Sequence, residues 1–425
     1  MRLKIALHWQ IILAIVVGGL TGWLTGTDGA LFGVALYDVY DFFGSLFLNA
    51  LKMLIVPLIA SSIIVGVAGI GSSENLGRLG GKTLGFYLLT TLSAVVIGLL
   101  LTNIIRPGEI DGEPARQLLA LDFEAAEVSE QVKDRGAGDI AQVLLRAVPS
   151  NIIAAAADGQ LLGVIVFCLL FGYFMARLDH VYAEPLMRFW DGVFHVMMHM
   201  TGWVMRFAPI GVFALVARVV SKTGFDAAAP LLSFAGVVML GLALHMFCTL
   251  PLLLRFIAKI SPLRVMHAVS PALLTAFSTA SSSATLPLTM EHVEKSVGVS
   301  SKISSFVLPL GATVNMNGTA LYECAAVLFI AQAYGVELSI ATQFLIVITA
   351  LVTSIGVAGI PAASLVAIAI ILGAVGLPVE AIAVLFVFDR VLDMSRTAVN
   401  VFGDSCCAVI VARLEGEELF QDRPD

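Results

Sequence analysis

The sequence predicts an all-α polytopic membrane protein, and three features carry that expectation. Of 425 residues, 59% are hydrophobic and only 13% charged, against about 25% charged in an ordinary soluble domain. Apolar stretches of the roughly 20 residues that a helix needs to cross the hydrocarbon recur from end to end. Beyond about residue 258, some of these stretches carry polar or glycine-rich patches at their centres, which a single aqueous core does not require.

The chain opens Met1-Arg2-Leu3-Lys4 with no small-residue cleavage site after the apolar run that follows, so a first helix is expected rather than a removed signal peptide, with the N-terminus cytoplasmic. The spans, this first one included, are expected at residues 9–26, 43–70, 83–104, 150–177, 186–218 and 228–257. Arg78 and Lys82 in one loop, and Arg255, Lys259 and Arg264 in another, then fall on the cytoplasmic side, as the positive-inside rule requires. The net charge of -7 is mostly local: nine acids against four bases lie between Arg106 and Asp139, a loop expected on the opposite side, which leaves no basic face for nucleic acid. Cys168, Cys248, Cys324, Cys406 and Cys407 lie in apolar segments without metal-site spacing and read as packing residues.

Two interruptions follow. Ser278-Thr279-Ala280-Ser281-Ser282-Ser283 breaks one apolar run, and Ser354-Ile355-Gly356-Val357-Ala358-Gly359-Ile360-Pro361 breaks another. Backbone that is not helical at membrane depth must be buried in protein or line a watery cavity. Two such segments in corresponding places point to a transporter binding site, each a pair of half-helices that enters and returns.

The last apolar segment contains Asp389-Arg390-Val391-Leu392-Asp393-Met394-Ser395-Arg396-Thr397-Ala398-Val399-Asn400-Val401-Phe402-Gly403-Asp404. At about 100° per residue with Asp393 at zero, Thr397 lies near +40°, Asn400 near -20°, Asp404 near +20° and Arg396 near -60°, all on one side of one helix. Each ionisable group at the bilayer centre costs roughly 2.5–3.5 kcal/mol, so the set needs partners or a task. A structural ion-pair cluster is the bland alternative. The chemistry fits a ligand better: a carboxylate for an ammonium, a guanidinium for a second carboxylate, and amide and carboxylate oxygens for a cation. A second patch, Gly311 to Glu323, places Asn315, Asn317 and Gly318 at mid-membrane, where a local break would free carbonyls for a hard cation. His195 and His199 have the spacing of a zinc helix but no intervening glutamate, and read as core or interface histidines.

With these motifs assembled, the chain resembles the dicarboxylate/amino acid:cation symporter family, the glutamate transporter family, over nearly its whole length and most specifically from Ser281 onward. The resemblance implies eight transmembrane helices plus two re-entrant helical hairpins built as inverted repeats. Residues 1–257 would form helices one to six, mostly scaffold and trimerisation surface, with the third and sixth in the transport unit. Residues 258–425 would form the transport core: hairpin 259–296, helix 302–331 unwound from Gly311 to Glu323, hairpin 340–375 and helix 377–412.

It further implies that Asp393 and Thr397 hold a substrate ammonium, Arg396 and Thr319 its side-chain carboxylate, and Ser282 and Asn400 its α-carboxylate. One sodium site would use Asp404, Asn315 and carbonyls of Gly311 and Asn400. A second would use carbonyls of Thr313, Met316, Ser354, Ile355 and Val357, and a third Tyr87, Thr90, Thr91, Asn315 and Asn317. Position 317 is usually aspartate in the family, so that site loses a charge here, while Glu323 matches members in which that glutamate is associated with proton co-transport and potassium counter-transport. Pro361-Ala362-Ala363-Ser364 has fewer glycines than relatives, and with alanine at 280, Arg390 is expected to supply the positive charge near the site.

The implied protein is a homotrimeric, elevator-type symporter of L-aspartate or L-glutamate in a bacterial inner membrane, coupled to sodium or protons, with membrane lipid as its other contact, no cofactor and no enzymatic activity. A C4-dicarboxylate symporter is the nearest alternative, set back by Asp393. An intramembrane aspartyl protease, suggested by Gly403-Asp404, needs a second aspartate on a neighbouring helix, and an anion channel leaves the paired arginine and aspartate unexplained.

Overall fold

The computed structural model describes residues 7–70, 76–119, 121, 128, 148–157, 161–226, 228–356 and 363–420. Helices α1 (Leu7–Thr25), α2 (Leu36–Ile70) and α3 (Leu76–Ile105) come first, with a short ribbon, β1 (Ala30–Leu31) and β2 (Val34–Ala35), between α1 and α2. A second ribbon, β3 (Glu109–Ile110) and β4 (Glu113–Pro114), follows α3. Its turn is Asp111-Gly112, both at positive φ, the pairing that suits a two-residue hairpin.

Next come α4 (Ile152–Ala157), α5 (Leu161–Met175), α6 (His180–Met205), α7 (Ala208–Thr223) and α8 (Ala228–Leu244). The helix begun by α8 runs on to Ala258 through two wide π turns, His245–Thr249 and Leu254–Ala258. Pro251 lies just past the first of these turns and has no N–H to give the preceding helix. Then follow α9 (Pro262–Thr279), α10 (Ser282–His292), α11 (Ser301–Val314), α12 (Asn317–Ala333), α13 (Ile340–Gly356), α14 (Ala363–Val375) and, after a 3₁₀ stretch at Val379–Leu385, α15 (Phe386–Leu414).

Packing falls into two groups. α1 and α2 lie on α7, and α2 also on α5 and α6. Gly18 and Gly22 let α1 approach the α7 backbone: a Cβ on Gly18 would stand 2.7 Å from the Phe213 carbonyl oxygen. In the other group, α3 and α8 lie against α12, and α9, α11 and α12 against α15. Every residue of α12 is buried, so the helix has no polar face to show in its sequence. Phe234 of α8 stacks on its Phe329 at 4.6 Å.

Four spans, Arg78–Ile105, Ala228–Ala258, Ser301–Ala333 and Val379–Leu414, are long and apolar enough to cross a membrane among the described residues. The expected continuous span at 186–218 is two helices bent by 55°, because Pro209 opens α7 and cannot continue α6. The expected span at 150–177 is divided into α4 and α5. His195 and His199 are exposed on α6 rather than in a core, and His195 Nδ1 lies 2.8 Å from the Asp191 carbonyl oxygen. Cys248 is exposed as well, whereas the other four cysteines are buried.

The loops expected on one side do meet at one end of the molecule. Arg78 and Lys82 pair with Glu415, and Arg413 Nε donates to the Ala258 carbonyl at 3.4 Å. Most of the acidic loop lies outside the described residues.

Candidate functional site

The first break falls between α9 and α10. Ala280 takes the left-handed conformation (φ 51°, ψ 40°) and ends α9, and Ser281 starts α10 by accepting a hydrogen bond from the Ala284 N–H at 3.2 Å. A serine cap after a left-handed residue turns the chain sharply without stranding its donors. Ser282 is buried in the first turn of α10. The serine run is therefore a cap between half-helices, as its composition suggests.

The second break is narrower than expected. Helix α11 runs through Gly311 to Val314 and α12 restarts at Asn317, so only Asn315 and Met316 leave the helical conformation (φ -94°, ψ 79° and φ -105°, ψ 51°). Asn400 of α15 bridges this gap: its Oδ1 accepts from the Gly318 N–H at 2.8 Å, and its Nδ2 donates to Thr319 Oγ1 at 3.2 Å and lies 3.3 Å from Met316 Sδ. An α15 side chain thus satisfies a backbone donor at the start of α12 that has no intrahelical partner.

One turn away on α15 lies a charged cluster. Arg396 is 0% exposed, and its Nη2 donates to Asp389 Oδ1 at 3.1 Å and Asp393 Oδ1 at 3.0 Å. Its guanidinium carbon sits 3.8 Å above the centre of the Tyr322 ring, a cation–π contact from α12. Arg396 Nε and Nη1 make no hydrogen bond among the described residues. Thr397 Oγ1 donates to the Asp393 carbonyl at 2.8 Å, and Arg390 Nη1 stands 3.7 Å from Asp393 Oδ2. Ser282 makes no hydrogen bond to this group among the described residues.

A second polar centre lies further along α15. Asp404 Oδ1 accepts from Asn315 Nδ2 at 2.8 Å, and Asn317 Oδ1 accepts from Thr91 Oγ1 at 2.8 Å and Thr90 Oγ1 at 3.5 Å. Tyr87 OH donates to the Val307 carbonyl at 2.8 Å. Glycine makes room here: a Cβ on Gly311 would stand 2.5 Å from Tyr87 OH and 2.7 Å from Asp404 Cγ, and one on Gly403 2.8 Å from Asn315 Nδ2. Asn315 Oδ1 is buried with no hydrogen-bond donor among the described residues. An orphaned amide oxygen on a side chain that also touches a carboxylate belongs to a donor set that fits a hard cation. Asp404 meets an amide where a protease would need a second carboxylate.

Glu323 is buried on α12 and its Oε2 accepts from Thr353 Oγ1 of α13 at 3.1 Å. Thr313 Oγ1 donates to the Leu310 carbonyl at 3.0 Å. Ser354 and Ile355 close α13, next to Thr353, and Val357 with Pro361 and Ala362 lies outside the described residues. Sequence reasoning did not single out Tyr322 or Thr353. Their partners are on other helices, so only the fold reveals them.

The sequence as a whole matches a known family. The model of the sodium:dicarboxylate symporter family matches residues 7–414. The chain belongs to that family. Among curated relatives it is 35% identical over 417 residues to the proton/glutamate-aspartate symporter of Escherichia coli, covering 97% of this chain and 94% of the relative. It is 35% identical over 419 residues to the proton/sodium-glutamate symport protein of Bacillus caldotenax, covering 97% and 96%. Excitatory amino acid transporter 3 of the mouse is 34% identical over 457 residues, covering 97% and 87%. The sodium:dicarboxylate symporter family match therefore includes both α15 polar centres and both breaks.

Proposed function

We propose that the chain is a secondary active symporter of acidic amino acids, L-aspartate or L-glutamate, driven by sodium, protons or both. The observation that carries this reading is Arg396: fully buried, stacked on Tyr322, with Nε and Nη1 unpartnered among the described residues, beside the aspartates it already touches. Unsatisfied buried donors cost about 1–3 kcal/mol each. A ligand carboxylate satisfies a guanidinium through two parallel bonds, and Asp393 with Thr397 one helical step away suits an ammonium. Thr319 lies beside the Arg396 group, and Asn400 Nδ2 and buried Ser282 serve the α-carboxylate. The relatives' names include glutamate and aspartate as substrates and proton or sodium as partners.

Cations would be held by Asp404, Asn315 and carbonyls of Gly311 and Asn400; by carbonyls of Thr313, Met316, Ser354, Ile355 and Val357; and by Tyr87, Thr90, Thr91, Asn315 and Asn317. A bound cation supplies positive charge that lowers the cost of an anionic substrate in a buried site. Glu323, held by Thr353, is the candidate proton carrier.

In this reading eight helices cross the membrane and α9–α10 and α13–α14 are re-entrant hairpins. The hairpins, α3, α8, α11, α12 and α15 move as a unit against α1, α2 and α5–α7 in a homotrimer. The membrane is a bacterial inner membrane, with the Glu415 end cytoplasmic.

Calorimetric titration of the purified protein with L-aspartate, L-glutamate and succinate in saturating sodium tests the substrate. The reading expects the two amino acids to bind and succinate to bind at least about tenfold more weakly, for want of an ammonium on Asp393. Equal or tighter succinate binding would transfer the assignment to a C4-dicarboxylate.

A further inference from the structure

Asp389, Arg390, Asp393 and Arg396 form a buried cluster with two charges of each sign. With Asp393 at zero on the helical wheel, Asp389 falls near -40°, Arg396 near -60° and Arg390 near +60°, so the two guanidiniums flank the acids from opposite sides. Arg396 takes Asp393 Oδ1 and Asp389 Oδ1, and Arg390 Nη1 faces the remaining Asp393 oxygen, Oδ2, at 3.7 Å.

The surroundings of Arg390 make its placement costly. Its side chain is 9% exposed, and Nε and Nη1 make no hydrogen bond among the described residues. It lines a cavity of about 20 Å³ whose apolar walls are Ile11 of α1, Phe47 of α2, Ala208 and Val212 of α7, and Phe386, and whose polar walls are Asp389 and Asp393. That room admits about one water, and its apolar walls offer no acceptor. A charge in such a place needs a counter-charge, and the carboxylates beside it are Asp389 and Asp393.

We infer that Arg390 is a positioning residue for acidic substrates: it holds Asp393 from the side opposite Arg396, so that Arg396 can take a substrate carboxylate without leaving two aspartates uncompensated. The inference rests on the acidic-substrate reading above. Without Arg390 the cluster is net negative before any substrate arrives, and an acidic amino acid adds a further negative charge. With it the cluster starts neutral. As Arg396 turns its free nitrogens to the ligand, Asp393 keeps a cation on its other oxygen and a fixed direction toward the ammonium.

The test is calorimetric titration of L-aspartate into full-length purified protein at saturating sodium, with size-exclusion elution and thermal unfolding recorded for every variant. Arg390→Met is expected to weaken binding by about tenfold or more. Arg390→Lys keeps the charge and is expected to stay within about threefold of the parent. Adding Asp389→Asn to Arg390→Met removes one acid with one base and is expected to recover affinity relative to Arg390→Met alone.

A purely packing role predicts no recovery in the double variant. If Arg390→Met does not fold, the lysine and double variants decide by the same criteria. Parent-like affinity in Arg390→Met, or a double variant as weak as Arg390→Met with lysine equally impaired, overturns the inference. Failure of the parent protein to bind any acidic amino acid refutes the substrate reading itself and removes the basis for this one.

Discussion

Arg396 is buried, offers Nη2 to Asp389 and Asp393 and keeps two nitrogens without a partner among the described residues, a geometry that a lysine cannot reproduce. Arg396→Lys should therefore weaken L-aspartate binding by about 10- to 100-fold, the range for losing one charged hydrogen bond, about 1.5–3 kcal/mol. Calorimetry reads it directly, and an unchanged affinity would separate Arg396 from the substrate. At the second centre, Asn317 is an amide whose oxygen is taken by Thr91 and Thr90. Asn317→Asp adds a carboxylate near Asp404, and the expected outcome is tighter sodium binding, read as a lower half-saturating sodium concentration for L-aspartate binding. A rise or no change would mean that no cation uses this cluster. Of these residues, Asp393, Arg396, Thr397, Asn400 and Asp404 were legible because charge and amide on one stripe of a membrane helix have few bland explanations. Tyr322 was not, since a tyrosine in an apolar helix looks like packing until Arg396 is found above its ring.

The breaks between elements position these side chains, and each has a residue on which it turns. Ala280 holds a left-handed conformation that disfavours a Cβ. Ala280→Gly is expected to stabilise the folded protein by about 1 kcal/mol, visible as a higher thermal unfolding midpoint; a lower midpoint would mean that the turn gains something from its methyl group. Gly311→Ala should act oppositely, since its Cβ would stand 2.5 Å from the Tyr87 hydroxyl and 2.7 Å from Asp404 Cγ. Overpacking of this kind costs about 1–3 kcal/mol, and the sodium dependence of binding should weaken with it. The polar interruptions were readable because serine, glycine and asparagine interrupt otherwise continuous apolar runs. The width of the break at Asn315 and Met316 was not, because Asn400, 82 residues from Gly318, caps the restarted helix. Pro209 was the available sign of the bend between α6 and α7, masked by the apolar run around it.

Across the whole molecule, the start of α3 is tied to the end of α15 through Glu415, which Lys82 and Arg78 hold below the usual carboxylate range by hydrogen bonds and charge. A depressed carboxyl stabilises the fold above its ordinary value of 4.5 and loses that contribution as pH falls through the lower folded value. The unfolding midpoint of Glu415→Gln should therefore lie below the parent's at neutral pH, with the gap closing in acid. A gap independent of pH would assign the effect to packing. The change in pattern near residue 258 precedes the helices that pack on α15, while α3 and α8, which the family resemblance assigned to the same unit, lie against α12 through contacts that their largely apolar sequences do not display. The account as a whole stands on coupled movement of an acidic amino acid, and uptake of labelled L-aspartate and L-glutamate into proteoliposomes tests it most directly, with an inward sodium gradient, an inward proton gradient and neither. Accumulation above equilibrium under at least one gradient, lost in Arg396→Lys, is the predicted result; no accumulation under either gradient by protein shown to be reconstituted and folded would contradict it.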